Sequence, residues 1–395
     1  MYKIFTMFVS LLLLSTSMKT TQPINYLREG PASYYDVILS LPASTSVEVL
    51  EKNTHWFKVK VGNDIGWLAE NSFSEKTNSN TEKLLQGKPS SRASKAELAA
   101  AVKGFAHKYV PETTKENLTL NKYSASIIPQ SSIEEFARTF SNQEVRSYKS
   151  LEKPFDIDLQ EEGIGLGIAQ KVACSGLLKN QTLLQYLNMV GSHLVNYTKA
   201  YHTTFRFYVL EDNRVNAFAC PGGYIFFSYG LIRLCSNESE LAAVLAHEMA
   251  HVIQRHGMKE LKVRQPKVKA GNAFDELDEE VGEEISEDEK DLEQFANDAY
   301  DVVVSERLIE YEKEADELAM LYLYRAGYDP TSVVKLLEKI QEPLKTKPDI
   351  FDINFMKGDA VKKRLQYAKE IMDDEGYKNN IKKQYVERFQ KYNHD

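Results

Sequence analysis

The chain has 395 residues, of which 43% are hydrophobic, 11% aromatic and 27% charged, and it carries a formal net charge of −8. Such a composition is ordinary for a globular protein, and the length allows a sizeable core plus a small extra module. The acidic balance argues against nucleic acid as a partner.

Met1-Tyr-Lys3 is a short basic start, Ile4 to Leu14 an apolar run, and Ser15-Thr-Ser17 supplies small residues near a cleavage point. The pattern predicts a secretory leader over residues 1–20, and with it an exported chain, periplasmic or extracellular. The apolar run is too short for a typical membrane-spanning helix, and no later run is long enough, so no span is expected in the mature chain. The three cysteines, Cys174, Cys220 and Cys235, are an odd number for an oxidising compartment. At most one pair can form within the chain, Cys174 with Cys235 being a candidate; apolar packing is the expected role of Cys220.

A first module is expected over residues 22–74. Asn25-Tyr-Leu-Arg-Glu-Gly-Pro31 opens it. Val37–Leu41, Val47–Leu50, Trp56–Val61 and Ile65–Leu68 alternate and are punctuated by Gly, Asn and Pro, which predicts short strands of a small β-barrel. Both tryptophans of the chain, Trp56 and Trp67, fall here. The pattern resembles bacterial SH3-like domains, although Ala43-Ser44-Thr45 stand where a Gly usually precedes the next strand. The resemblance implies a cell-wall or peptide ligand; a structural barrel with both tryptophans in its core is the competing reading. A linker and adaptor region follows over 75–150. Glu75 to Arg92 is rich in Ser, Asn, Thr, Lys and Gly, and Ser94 to His107 looks helical.

Residues 151–345 carry the chemistry. Pro221-Gly222-Gly223 is a turn signal, and Tyr224-Ile-Phe-Phe-Ser-Tyr229 is a strand rich in aromatic residues. One reading makes Gly222, Gly223, Tyr224 and Ile225 part of an edge that takes an extended peptide as an added strand; the other is a core hairpin. Asn237 to His256 reads as helical throughout, with Asn237 and Glu240 in capping-box positions. His247-Glu248-Met249-Ala250-His251 lies within it. Residues i and i+4 share a helix face, so His247 and His251 can offer two imidazoles to one metal ion, with Glu248 beside them as general base. His256, just before Gly257, is read as a C-terminal cap. An acidic insert over 272–300 follows, in which Leu277, Val281 and Ile285 recur every fourth residue. An amphipathic lid over the cleft and a solvated acidic face are both compatible with it.

Ser305 to Arg325 reads as a second helix, ended by Gly327. Glu312 and Asp316 stand one turn apart on it, with Ala315 and Ala319 beside them for close helix approach. Glu312 fits a third ligand and Asp316 an acceptor for a ligand-histidine N–H; by spacing alone Glu310, Glu314 and Glu317 compete. Taken together, His247-Glu248-x-x-His251, Glu312-x-x-Ala315-Asp316 and Asn216-Ala-Phe-Ala-Cys-Pro-Gly-Gly223 resemble the gluzincin metallopeptidases related to the CAAX prenyl endopeptidase and the HtpX heat-shock protease, in their soluble exported form. The resemblance implies zinc, one ion per chain, held by His247, His251 and Glu312, with Glu248 as base and Asp316 behind the ligands. Members commonly carry a His-Pro and a later Arg after the third-ligand helix. Here Asp352 to Leu365 holds Arg364 but no His, which leaves Arg364 or a tyrosine for the oxyanion.

The fold expected is thus α+β, a mainly helical zincin-type metallopeptidase domain with a small sheet behind a small SH3-like barrel, and a helical extension over 346–395. The function expected is an exported zinc endopeptidase acting on protein or peptide substrates in envelope quality control. A binding or chaperone-like protein working through its SH3-like domain is the alternative.

Overall fold

The computed structural model describes residues 16–22, 24–53, 55–74, 130–140, 155, 159–260, 303, 307–352, 358–380 and 383–393. The apolar leader run, the 75–92 linker, the 94–107 helix and the acidic insert expected from sequence lie outside these. The chain divides into two compact units, Met1–Asn78 and Ser79–Asp395.

The first unit is one antiparallel sheet of six strands: β1 (Thr16–Lys19), β2 (Ile24–Arg28), β3 (Val37–Pro42), β4 (Ser46–Asn53), β5 (Trp56–Val61) and β6 (Asp64–Ala69), in the order β1-β4-β5-β6-β2-β3. Inward positions of the alternating strands, Leu27, Leu41, Val47, Val59 and Leu68, form its core. Trp56 is buried with them, whereas Trp67 is half-buried with the Lys58 ammonium 5.9 Å from its ring centroid. The two tryptophans therefore divide between the two readings. The sheet begins earlier than expected, inside the stretch assigned to the leader. Thr20 is buried, its Oγ1 donates to Pro42 O at 2.7 Å, and Ser44 N donates to Thr20 O at 2.7 Å.

The second unit is mainly helical around a three-stranded sheet. Its elements are α1 (Gln130–Arg138), α2 (Leu159–Ala173), α3 (Gln181–Val195), β7 (Arg206–Leu210), β8 (Ala217–Cys220), β9 (Tyr224–Ser228), α4 (Tyr229–Leu234), α5 (Glu238–Ile253), α6 (Ile309–Ala326), α7 (Ser332–Thr346), α8 (Gly358–Asp374) and α9 (Val386–Asn393). The order is β7-β9-β8, with β9 parallel to β7 and antiparallel to β8. Between β8 and β9 the chain reverses at Pro221–Gly223. Gly222 and Gly223 take φ of 77° and 85° there, a region costly for other residues.

Two anchors fix the helix that carries the paired histidines. Asn237 caps α5 by accepting from Glu240 N, and the Glu240 carboxylate reaches back to Ser236 N at 2.8 Å. Glu238 is fully buried; it accepts from Tyr186 OH at 2.7 Å and Tyr328 OH at 2.8 Å and pairs with Arg388 of α9. The C-terminal helices are thus integral to this unit: α9 ties down the start of α5, and α8 packs on α6 and α7. Among the described residues no helix is long and apolar enough to cross a membrane. All three cysteines are unpaired, with Cys220 and Cys235 buried.

Candidate metal centre

Three donors converge where α5 and α6 pack together. His247 Nε2 and His251 Nε2 lie 3.1 Å apart, His247 Nε2 is 3.3 Å from Glu312 Oε2, and His251 Nε2 is 3.3 Å from Glu312 Oε1. Helical spacing places the two imidazoles one turn apart on α5, and the first turn of α6 brings in the carboxylate. A tetrahedral ion with ligand bonds of about 2.0–2.2 Å has ligand–ligand edges of roughly 3.3–3.6 Å. The donor set, two imidazoles and one carboxylate, and its spacing therefore fit a divalent cation such as zinc. Among the described residues this is the one His/Cys/Asp/Glu group able to hold a metal.

The groups behind the donors are as ordered as the donors. Asp316, one turn beyond Glu312, places Oδ1 3.0 Å from His247 Nδ1. Arg364, from α8, donates from Nε and Nη2 to the two Asp316 oxygens at 2.8 and 2.7 Å, and its Nη1 lies 2.7 Å from Glu312 Oε2. Burial alone would raise the Glu312 carboxyl, but the Arg364 guanidinium and His251 outweigh it and hold the group well below the usual carboxylate range. Asp316 is lowered for the same reason, again chiefly by Arg364. His247 is pushed up to about 9, its burial outweighed by Asp316 and Glu312. His251 moves the other way, driven down by burial and then by Arg307. Glu248 lies nearly buried beside the donors, Oε2 3.5 Å from Arg307 Nη1.

Three sequence expectations need correction. Arg364 is not free to meet an oxyanion, because both edges of its guanidinium are committed to Asp316 and Glu312. Tyr224 and Ile225 do not form a substrate edge. They lie in β9, the central strand, whose backbone pairs with β7 on one side and β8 on the other, and Gly222 and Gly223 are buried in the preceding turn. The strand at the side of this sheet nearest the motif helix is β8, which packs on α5. His256, finally, is not a cap. α5 ends at Ile253, Gln254 caps it, and Arg255 has φ 54°. His256 then turns back, fully buried, with Nδ1 2.9 Å from His251 Nδ1 and Nε2 3.2 Å from Glu314 Oε2. Burial, helped by Lys259 and Arg307, brings its pKa down to about 3. Of the acidic residues that competed by spacing, Glu310 and Glu317 are exposed and Glu314 is half-buried, whereas Glu312 is buried at the donors. Cys220 plays no part as a nucleophile or ligand; burial pushes its thiol up, and it packs in the apolar cluster with Tyr208 and Phe226.

Comparison with known proteins agrees with this geometry. Residues 182–352 match the model of peptidase family M48, and residues 25–74 match the bacterial SH3 domain model. The beta-barrel assembly-enhancing protease of Yersinia pestis is 32% identical over 178 residues, covering 44% of this chain and 36% of that protein. Its Escherichia coli K12 counterpart is 30% identical over 171 residues, 42% of this chain and 34% of that protein. The mitochondrial metalloendopeptidase OMA1 of Schizosaccharomyces pombe is 34% identical over 76 residues, 19% of this chain and 23% of that protein. The chain thus spans about a third of the length of the bacterial relatives it matches. On its motifs, its donor geometry and these matches, the segment from residue 182 to residue 352 is a domain of peptidase family M48, carried on one chain with a bacterial SH3 domain over residues 25–74.

Proposed function

We propose that this protein is an exported zinc-dependent endopeptidase that turns over envelope proteins. The observation that carries the reading is the convergence of His247, His251 and Glu312 donor atoms within 4.8 Å of one another, with Glu248 following His247 on α5. His247, His251 and Glu312 would hold a zinc ion, which would supply Lewis acidity toward a peptide carbonyl and a water molecule. Glu248 takes the proton of the attacking water and passes it to the leaving amine nitrogen. Asp316 and Arg364 hold His247 and Glu312 in place, so the donors need little rearrangement. β8, packed on α5, is the strand along which an extended peptide would lie.

Export and an envelope substrate are supported by the leader pattern and by relatives named for β-barrel assembly. For the SH3 unit we infer a protein or cell-wall peptide ligand; exposed Tyr26, Val37, Ile38 and Ile65 support this. The test is zinc content and casein cleavage of the purified protein beside Glu248→Gln. Both should hold about one zinc per chain, and cleavage should fall by about 10²–10⁴-fold in the variant. Undiminished cleavage by Glu248→Gln, or a parent protein that takes up no zinc, would overturn the reading.

A further inference from the structure

We propose that His256, backed by Glu314, is the positioning partner of the ligand histidine His251. It does for that imidazole, through a second ring, what the Asp316 carboxylate does directly for His247. The inference rests on the proposal that the site binds zinc.

The two Nδ1 atoms of His251 and His256 face each other at 2.9 Å. Two ring nitrogens at that distance need one proton between them, so one donates and the other accepts. Which one donates follows from the other end of His251. Its Nε2 is one of the three converging donors. A ligating nitrogen carries no proton, so the neutral ring carries it on Nδ1. His251 Nδ1–H therefore donates and His256 Nδ1 accepts. The proton of His256 then sits on Nε2, 3.2 Å from Glu314 Oε2, which accepts it. The Tyr311 ring, 4.4 Å away and tilted by 11°, fixes the plane of His256. Carboxylate, imidazole and imidazole are thus in series, each tautomer set by the next. His256 is not a fourth ligand, because its nitrogens face the back of His251 and Glu314 rather than the point where the donors converge.

The backbone is shaped for this contact. In an unbroken helix, five residues would place His256 about 140° round the axis from His251. Instead Arg255 takes φ 54°, a left-handed conformation that is unfavourable for a non-glycine residue and persists where its surroundings enforce it. Its side chain is held by Glu161 at 2.9 Å and lies over the Phe155 ring. The break brings His256 back behind His251, and α6 supplies both Tyr311 and Glu314 to receive it.

The test compares the parent with His256→Phe, His256→Asn and Glu314→Gln. Phe keeps the ring on Tyr311 but cannot accept; Asn can accept through its amide oxygen. Zinc affinity is measured on metal-free chains by competition with a chromophoric chelator, alongside the visible spectrum of the Co2+-loaded chains and a thermal melt. His256→Phe should lose about 10–100-fold in zinc affinity and shift the Co2+ bands. His256→Asn should stay within about threefold and keep the bands, and Glu314→Gln should fall between. A folded His256→Phe that binds zinc as tightly as the parent overturns the proposal, and so does an Asn variant as weak as Phe. Should His256→Phe not fold, Glu314→Leu, which cannot accept, decides: weaker binding supports the relay and unchanged binding refutes it. A parent that binds no zinc would sink the metal reading itself, a result distinct from parent and variant binding alike.

Discussion

Replacing Arg364 by Met separates the role its contacts give it, holding the site together, from the one its place in the sequence suggests, meeting the oxyanion. Arg364 is 9% exposed and makes three contacts of 2.7–2.8 Å with Asp316 and Glu312. At an effective dielectric of about 20, each of its two ion pairs contributes roughly 4 kcal/mol before the cost of stripping the charges of water. Much of that gross attraction is cancelled by desolvation, but removing one partner leaves the other charges buried and unpaired, which typically costs about 3–5 kcal/mol. In a unit of this size each kcal/mol is worth roughly 2 °C in melting temperature, so Arg364→Met should melt about 6–10 °C lower in the presence of chelator. Adding Asp316→Asn to Arg364→Met should recover part of that loss, because one of the two stranded carboxylates is then neutral. Thermal melts by circular dichroism, with and without chelator, are the assay. If Arg364→Met melts within about 2 °C of the parent, holds zinc equally well and loses only turnover, the guanidinium acts on the substrate and its electrostatic role at Asp316 and Glu312 is refuted.

Two further outcomes follow from contacts away from the donors. His193 is buried against Phe140 and bonded to Ala326 O at 2.8 Å, and burial, with a smaller push from Arg388, lowers its pKa to about 4. A depressed histidine stays neutral in the folded state while the unfolded chain takes up the proton, so stability present above about pH 6.5 is lost as pH falls toward 4, by at most about 3 kcal/mol. His193→Gln should therefore show a lower melting temperature at pH 7 but a shallower decline between pH 6.5 and 4.5; an equally steep decline would contradict the assignment. At the N-terminus, a chain starting at Ile24 loses β1 together with the bonds of Thr20, Thr21 and Gln22 to residues 42–45 and 71–74. Small units have little stability to spare. The SH3 unit should melt cooperatively when it starts at Thr16 and lose that transition when it starts at Ile24, as read by tryptophan fluorescence.

How far the sequence reading reached depended on whether the information was local. The cap at Asn237, the i, i+4 histidines and the glycine stop at Gly327 are written in adjacent residues, and each appears where periodicity places it. The strands from Val37 to Leu68 were legible for the same reason. Thr16–Lys19 was not, since Ser and Thr beside an apolar run read as leader residues and only pairing with β4 makes them a strand. Strand order is likewise non-local: nothing in Tyr224–Ser228 says that β7 arrives on one side and β8 on the other. Arg364 could be picked out, but whether it meets substrate or carboxylates depends on how α8 packs. Helical extrapolation turns His256 away from His251, and the break at Arg255 has no Gly or Pro to announce it. The hint available was a histidine left over beside a pair already assigned.

The acidic run on α6 shows why a spacing argument and a burial argument are both needed. Glu310, Glu312, Glu314, Asp316 and Glu317 are nearly alternate, which taken alone describes a solvated face. Packing against α5 sorts them. Glu312 and Asp316, four apart, share the buried face, where fully buried Ala315 and Ala319 lie beside them, and both carboxylates stay charged because Arg364 meets them. Glu314 lies off that face and would be surplus if α5 ran straight. The reversal at Arg255 carries His256 around to it, so α6 meets both imidazoles, His247 through Asp316 and His251 through Glu314 and His256. The His247 contact needs only regular helix on both elements. The His251 contact needs an irregular residue and an extra ring. Substitutions at Arg255, which touch no donor atom, should therefore disturb His251 and leave the His247–Asp316 contact intact.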